Sequence, residues 1–158
     1  MTGQFGKIRR WGLTLVLVCL SSCGGGEDDA VRRMDAALEA TPVLKQYLAA
    51  QDALAGDRLD EALAALGHLS GSAPEQVQRL VAGAEGADID SVRVLFRSIS
   101  ESLIDGKPLM DGLRVASCPM AFDYQGARWI QRDGDLANPY FGARMLHCGV
   151  FVEASMRE

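Results

Sequence analysis

Apolar positions recur at helical spacing from about residue 30 to residue 105 and lose that spacing afterwards. The pattern predicts a helix over 30–40, one from 42 to a break at Gly56-Asp57, and one after that break with an end indicated by Gly67 and Gly71. Two more are predicted from 74 to about 83 and over about 91–105. Amphipathic helices with short connections pack most simply side by side in antiparallel order. The chain is therefore predicted to be mainly α, an antiparallel helical bundle.

Residues that favour helix ends mark the predicted boundaries. The predicted N-caps are Thr41 (before Pro42), Ser72 (with Glu75 as a capping box) and Asp88 or Asp90. Gly67 and Gly71 indicate the end of the helix that follows the break at Gly56-Asp57. In the last helix we expect Leu95 and Phe96 to belong to the core.

The composition changes from about residue 109, where Pro, Gly and aromatic residues become frequent. Alternation at Leu113, Val115 and Ser117 indicates a strand, and Asp133-Gly134 is a candidate hairpin turn. We expect a cap rich in loops and hairpins over about 109–153, with Trp129 largely buried. Residues 30–158 are predicted to form a single domain.

The first 22 residues have the pattern of a secretory signal, with a basic start and the apolar run WGLTLVLVCL. Leu20-Ser21-Ser22-Cys23 resembles the lipobox of bacterial lipoproteins, which implies cleavage before Cys23 and lipidation of that residue. The alternative is a plain signal peptide with a chance cysteine. Residues 23–29 are predicted to be a flexible tether. The expected location is the periplasmic face of the envelope, and Gly24 favours the outer membrane.

Composition, charge and missing motifs exclude several classes of function. The 158 residues are 48% hydrophobic and 23% charged, as in a globular protein, and a net charge of -5 argues against nucleic acid as a partner. The sequence carries no phosphate-binding loop, dinucleotide fingerprint or nucleophile motif. It is therefore predicted not to be an enzyme.

Two of the four cysteines remain for chemistry, because Cys19 leaves with the signal and Cys23 takes the lipid. Two cysteines in a secreted chain usually form a disulfide, and closing a loop of about 30 residues would stabilise the fold by about 3–4 kcal/mol. Each remaining cysteine also has a methionine within three residues, and thiolate with thioether sulfur favours Cu(I) or Ag(I). The spacing alone favours the disulfide, and a metal site stays open.

The second cluster has two possible geometries. If 145–148 is a strand, Met145 and His147 share one face and Cys148 points to the other. If the segment is a helical turn, Met145 and Cys148 share a face.

The longest motifs resemble a domain of bacterial envelope proteins. They are CPMA at 118–121, GARW at 126–129 and NPYFGARMLHCG at 138–149. Shorter matches lie in the helices, as Tyr47-Leu48, Asp52-Ala53-Leu54 and the spacing Arg93-x-x-Phe96-x-x-Ile99-Ser100. The similar domain, matched over residues 43–153, occurs alone or fused to adaptor subunits of heavy-metal efflux pumps. The resemblance implies copper, silver or related cations in the periplasm, and an efflux adaptor or pump component as partner. It makes metal binding the leading hypothesis.

The predicted site follows from these motifs. The expected metal ligands are Cys118, Met120, Met145 and Cys148, with His147 as a weaker candidate because the similar domain usually has Thr there. The residues expected to support the site are Pro119, Trp129, Asn138, Pro139, Tyr140, Gly142 and Gly149. The leading function is a lipid-anchored protein that binds Cu(I) or a related soft metal. The alternative is an interaction module without metal, stabilised by a Cys118–Cys148 disulfide.

Overall fold

The computed structural model describes residues 29, 31–35, 37, 41–104 and 109–153, so the signal sequence, the lipobox and Cys23 lie outside it. Residues 31–35 are helical. The longer helices are α1 (Pro42–Ala55), α2 (Leu59–Ser70), α3 (Glu75–Ala82) and α4 (Ile89–Ile104). The strands are β1 (Leu113–Cys118), β2 (Ala127–Arg132) and β3 (Val150–Val152). The prediction of a mainly α chain with a strand-containing C-terminal region is confirmed.

The helices bury the faces that their apolar spacing predicts. Phe96 in α4 is fully buried and stacks on Tyr47 of α1, with ring centroids 4.8 Å apart. Leu95 is only partly buried, so its predicted place in the core holds in part. Trp129 in β2 is fully buried, as predicted. Among the described residues, no helix has the length and apolar character needed to cross a membrane.

The predicted helix caps have different outcomes. Thr41 is the N-cap residue of α1, as predicted, but its hydroxyl donates to the carbonyl of Ala37 at 3.1 Å and does not bond to a helix amide. The capping box at Ser72 is not formed, because Pro74 occupies the N-cap position of α3 and leaves Ser72 two residues too early. The cap at Asp88 is confirmed, since its carboxylate accepts the Ser91 amide at 2.9 Å.

The two glycines predicted to end the helix after the Gly56-Asp57 break differ in role. Gly67 lies inside α2, and Gly71 follows its last residue as the C-cap.

The sheet has the order β2-β1-β3, with both pairs antiparallel. Residues 119–126 connect β1 to β2, where Phe122, Asp123 and Tyr124 take left-handed backbone angles before Gly126. The hairpin predicted at Asp133-Gly134 is therefore wrong. After β2 the chain does not fold back beside that strand but passes to the far side of β1, where it forms β3.

Two tyrosine hydroxyls cover the outer edge of β2. The hydroxyl of Tyr47 accepts the Ile130 amide at 3.0 Å, and the hydroxyl of Tyr140 donates to the Arg128 carbonyl at 2.5 Å. Both tyrosines are buried, and the hydroxyl of Tyr47 also lies 2.8 Å from that of Ser100. The helices and β2 are thereby joined through polar contacts inside the core.

The long connection from β2 to β3 lies over the sheet face that carries Trp129 and Gln131. The Gln131 side chain accepts hydrogen bonds from the Trp129 ring at 2.9 Å and the Ala137 amide at 3.1 Å. Its amide nitrogen donates to the Asp135 carbonyl at 2.9 Å. From α1, Gln51 donates to the Ala137 carbonyl at 2.7 Å. This connection carries the second cysteine to the sheet.

Candidate metal-binding thiol pair

The structure brings the two sulfurs of Cys118 and Cys148 to 3.1 Å from each other, both as free thiols. A disulfide bond is about 2.05 Å long, and a metal ion with bonds of about 2.3 Å to each sulfur holds them about 3.8–4.6 Å apart. The observed separation lies between these values. Side-chain movements of about 1 Å would therefore reach either state.

The backbone at Gly149 explains how Cys148 reaches Cys118. Ser117 lies opposite Val150 in the sheet, so the next step of the register sets Gly149 opposite Cys118. Gly149 has φ +141, and a Cβ there would lie 2.8 Å from the Ser117 carbonyl oxygen and 2.9 Å from the Trp129 ring. Only glycine allows this approach. The chain turns there, and Cys148 lies against the end of β1.

Asn138 holds the cysteine-bearing segment from the other side. Its side-chain amide donates to the Cys148 carbonyl at 2.7 Å, and its backbone amide donates to the Leu146 carbonyl at 2.7 Å. Its side-chain oxygen accepts the Tyr140 amide at 2.8 Å. Asn138 is fully buried, so each of these bonds replaces a lost bond to water. The Asn-Pro-Tyr turn thus fixes the position of Cys148.

The two thiols differ in exposure and form a hydrogen bond with each other. Cys118 is fully buried, whereas Cys148 is partly exposed. The hydrogen bond to Cys118 raises the pKa of Cys148 above its ordinary value, and burial and the charge of a Cys118 thiolate act in the same direction.

The two methionines lie beside the pair along the backbone. Met120 follows Pro119 at the end of β1 and is 39% exposed. The Cys148 amide donates to the Met145 carbonyl at 3.0 Å, which closes a four-residue turn and keeps their Cα atoms within about 7 Å. Segment 145–148 is thus a turn and not a strand. In the part of the chain that the structure describes, no hydrogen bond joins either thioether to a thiol.

His147 makes its own contact outside the thiol pair. One ring nitrogen, Nδ1, lies 2.7 Å from the Leu136 carbonyl. A carbonyl only accepts, so Nδ1 donates a proton in this contact. His147 is exposed, and metal-binding histidines usually donate their other ring N–H to a carbonyl or carboxylate in this way.

Two residues that support the site were not recognised as such from the sequence. Arg93 in α4 is 5% exposed and donates to the Pro139 carbonyl at 3.0 Å. Asp57 accepts from Arg93 at 2.5 Å and from the Ala143 amide at 2.9 Å. A signal was present, because Arg93 lies one turn before Phe96 on the face where the helical period requires an apolar residue. A charged residue there needs a buried partner.

Comparison with protein-family models, with curated proteins and with solved structures finds no match to this chain. The resemblance to the envelope domain therefore stays a prediction. Function has to be inferred from the two thiols and their surroundings.

Proposed function

We propose that this chain binds Cu(I), Ag(I) or a related soft metal ion through the thiolates of Cys118 and Cys148. The observation that carries this proposal is the 3.1 Å contact between two free thiols at the end of the central strand. Soft sulfur donors prefer such ions over Mg²⁺ or Ca²⁺. The protein acts without catalysis, by holding the metal and passing it on.

The donor set suits an ion that accepts few ligands. Within residues 29–37, 41–104 and 109–153, as far as they are described, no group of three His, Cys, Asp or Glu side chains is placed to hold a metal. Structural zinc sites use four such ligands. Two thiolates with a nearby thioether leave Zn²⁺ incompletely coordinated and fit a low-coordinate ion such as Cu(I).

The exposed side of the pair gives a route for exchange. Cys118 is buried on β1, whereas Cys148 and Met120 reach solvent. A sulfur ligand of the partner that receives the metal therefore approaches the ion from the side of Cys148. In this exchange Cys148 leaves first, Cys118 is the last ligand, and Met120 or Met145 assists from the adjacent turns.

The pH dependence of binding follows from the raised pKa of Cys148. At neutral pH this thiol carries a proton, which the metal must displace. Metal affinity therefore rises as the pH rises toward that pKa and falls in acid. A zinc-like site with thiols already ionised at neutral pH would show a flatter profile above pH 7.

The proposed location is the periplasmic face of the envelope, with a lipid at Cys23 as the membrane anchor. The lipobox LSSC at 20–23 and the resemblance to efflux-associated domains support it. The proposed partner is an adaptor or pump component of a heavy-metal efflux complex. Replacing Cys23 by Ser should release the protein from membranes into the soluble fraction, and retention in membranes would contradict the anchor.

The same sulfur contact favours a second function. Thiol–disulfide exchange with a second disulfide, which is reduced to two thiols, would join Cys118 and Cys148 in a disulfide between β1 and the loop before β3. The chain would then be a rigid interaction module without metal. Counting free thiols in protein isolated without reductant separates the two. Two free thiols support metal binding, and a complete disulfide supports the module.

The decisive experiment is a Cu(I) competition titration on the reduced protein against a chelator of known affinity. Cys118→Ser and Cys148→Ser should each abolish tight binding, whereas Met120→Leu and Met145→Leu should weaken it. Met110→Leu is the matched control, since Met110 precedes β1 at the end away from Cys118. Binding that survives both Cys→Ser substitutions would overturn the proposal.

A further inference from the structure

Arg93 anchors one end of the loop that carries Cys148. Its guanidinium donates to the Pro139 carbonyl at 3.0 Å and to the Leu54 carbonyl at 3.2 Å. It also forms ion pairs with Asp57 at 2.5 Å and with Asp90 at 3.2 Å. The side chain of Arg93 is only 6% exposed, so these partners replace its water shell.

Asp57 anchors the next part of the same loop. One carboxylate oxygen accepts from Arg93, and the other accepts the Ala143 amide at 2.9 Å. The backbone of Gly142 lies directly on this ion pair, since a Cβ there would be 2.0 Å from an Asp57 oxygen and 2.5 Å from an Arg93 nitrogen. The segment between Pro139 and Ala143 is therefore clamped by one ion pair.

The clamp connects to Cys148 through two consecutive turns. The Met145 amide donates to the Gly142 carbonyl at 3.2 Å, and the Cys148 amide donates to the Met145 carbonyl at 3.0 Å. Each turn fixes the start of the next. The backbone is thus hydrogen-bonded in two steps from Gly142, beside the ion pair, to Cys148.

Asp57 adopts an unusual backbone conformation at this position. Its φ of +57 lies in the left-handed region, which few residues other than glycine, asparagine and aspartate adopt. The conformation turns the side chain of the α1–α2 connection toward the loop near the thiols, 86 residues away in sequence. Such local strain persists when the surrounding contacts require it.

We propose that Asp57 is a positioning residue for the thiol pair, which fixes the approach of Cys148 to Cys118 by holding the loop against buried Arg93. The claim that Asp57 assists metal binding rests on the proposed function. The claim that Asp57 positions the two thiols is independent of that function, because the equilibrium between the dithiol and the disulfide reports their proximity without any metal.

Asp90 provides the matched control. It pairs with the same guanidinium and has a side chain that is 81% exposed, and none of its contacts in the described part of the chain reaches the loop over 138–149. Asp57→Asn and Asp90→Asn each remove one negative charge next to Arg93. Only the first weakens the hold on Ala143. A general loss of charge would affect both variants alike.

The experiment measures the equilibrium of the Cys118–Cys148 disulfide with reduced and oxidised glutathione. The balanced reaction is dithiol plus glutathione disulfide giving protein disulfide plus two glutathione thiols. Asp57→Asn should lower the equilibrium constant about tenfold, equal to about 30 mV in potential, with helical circular dichroism unchanged. Asp90→Asn should stay within about twofold of wild type. Equal shifts in the two variants would overturn the proposal.

A second variant tests the clamp from the loop side if Asp57→Asn does not fold. Gly142→Ala forces the loop off the ion pair and should lower the same constant, and an unchanged constant would contradict the proposal. Cu(I) titrations on the same proteins separate the two ideas. If the wild type binds no metal but Asp57→Asn shifts the disulfide equilibrium, the proposed metal-binding function is refuted and the positioning role of Asp57 stands. If the wild type binds metal but Asp57→Asn leaves the disulfide equilibrium unchanged, the positioning role is refuted and the metal-binding function stands.

Discussion

The helices over 41–104 and the region over 109–153 share one hydrophobic core but differ in what fixes the path of the chain. In the helices, apolar side chains at helical spacing determine the buried face, as at Phe96. In the C-terminal region, side chains hydrogen-bond to backbone groups, as Gln131 and Asn138 do. Apolar contacts tolerate small shifts, but a hydrogen bond specifies one partner at one distance. The second region is therefore better suited to bring two sulfurs into contact.

The largest expected effect tests the apolar side of this comparison. Phe96→Ala removes a fully buried ring stacked on Tyr47 and should cost about 3–5 kcal/mol in the free energy of unfolding, measured by urea denaturation. Val94→Ala in the same helix is the control, since Val94 is 54% exposed and should change stability by less than about 0.5 kcal/mol. Similar losses in the two variants would contradict the assignment of the core.

An intermediate effect compares the same substitution in both regions. Gly149→Ala adds a methyl group between the Ser117 carbonyl and the Trp129 ring and should destabilise by about 1–3 kcal/mol. It should also raise the alkylation rate of Cys148. Gly67→Ala lies inside α2 with no atom within 4 Å of the added carbon, so it should stabilise by about 0.5–1 kcal/mol. Equal signs for the two would show that the description of one region is wrong.

The smallest expected effect is a loss of folding stability at acid pH through the carboxylate of Asp57. The hydrogen bond from Ala143, followed by that from Arg93, lowers the pKa of Asp57 below its ordinary value. The resulting stability is present above the unfolded value of about 3.9 and is lost as the pH falls through the folded pKa. Because the Asp57 side chain is 43% exposed, the contribution should stay below about 1 kcal/mol.

Thermal unfolding as a function of pH checks this contribution. The midpoint for wild type should exceed that for Asp57→Asn at pH 7, and the gap should narrow below pH 4. A gap that is constant down to pH 2 would show that the charge of Asp57 plays no part.

The periodic part of the fold could be predicted from the sequence. Apolar spacing gave the helices within a few residues and identified Phe96, and the alternation at Leu113 and Val115 gave β1. The missing side-chain hydrogen bond at Thr41, which does hold the N-cap position, and the missing capping box at Ser72 have a common cause. Cap motifs are short, and a competing local contact, the Ala37 carbonyl or the Pro74 ring, decides whether they form.

The site could be predicted in its chemistry and only in part in its supporting contacts. Soft ligands next to glycine and proline indicated Cys118 and Cys148 as partners, and Asn138, which bonds to the Cys148 carbonyl, was among the expected support residues. The contact of Asp57 with the Ala143 amide leaves no sequence signal, because it joins residues 86 positions apart and ends on a backbone group. The wrong hairpin at Asp133-Gly134 arose in the same way, since the path back to β1 is set by Gln131 and Gln51.

The two hydroxyls on the outer edge of β2 affect how this chain behaves among other chains. Exposed strand edges recruit further strands, and this is a common route to aggregation and amyloid. Tyr47 and Tyr140 already occupy backbone groups on that edge, and the opposite edge is the three-residue strand β3. Neither side offers a foreign strand a long row of free backbone groups. The sheet is thereby a poor template for the addition of a strand from another chain.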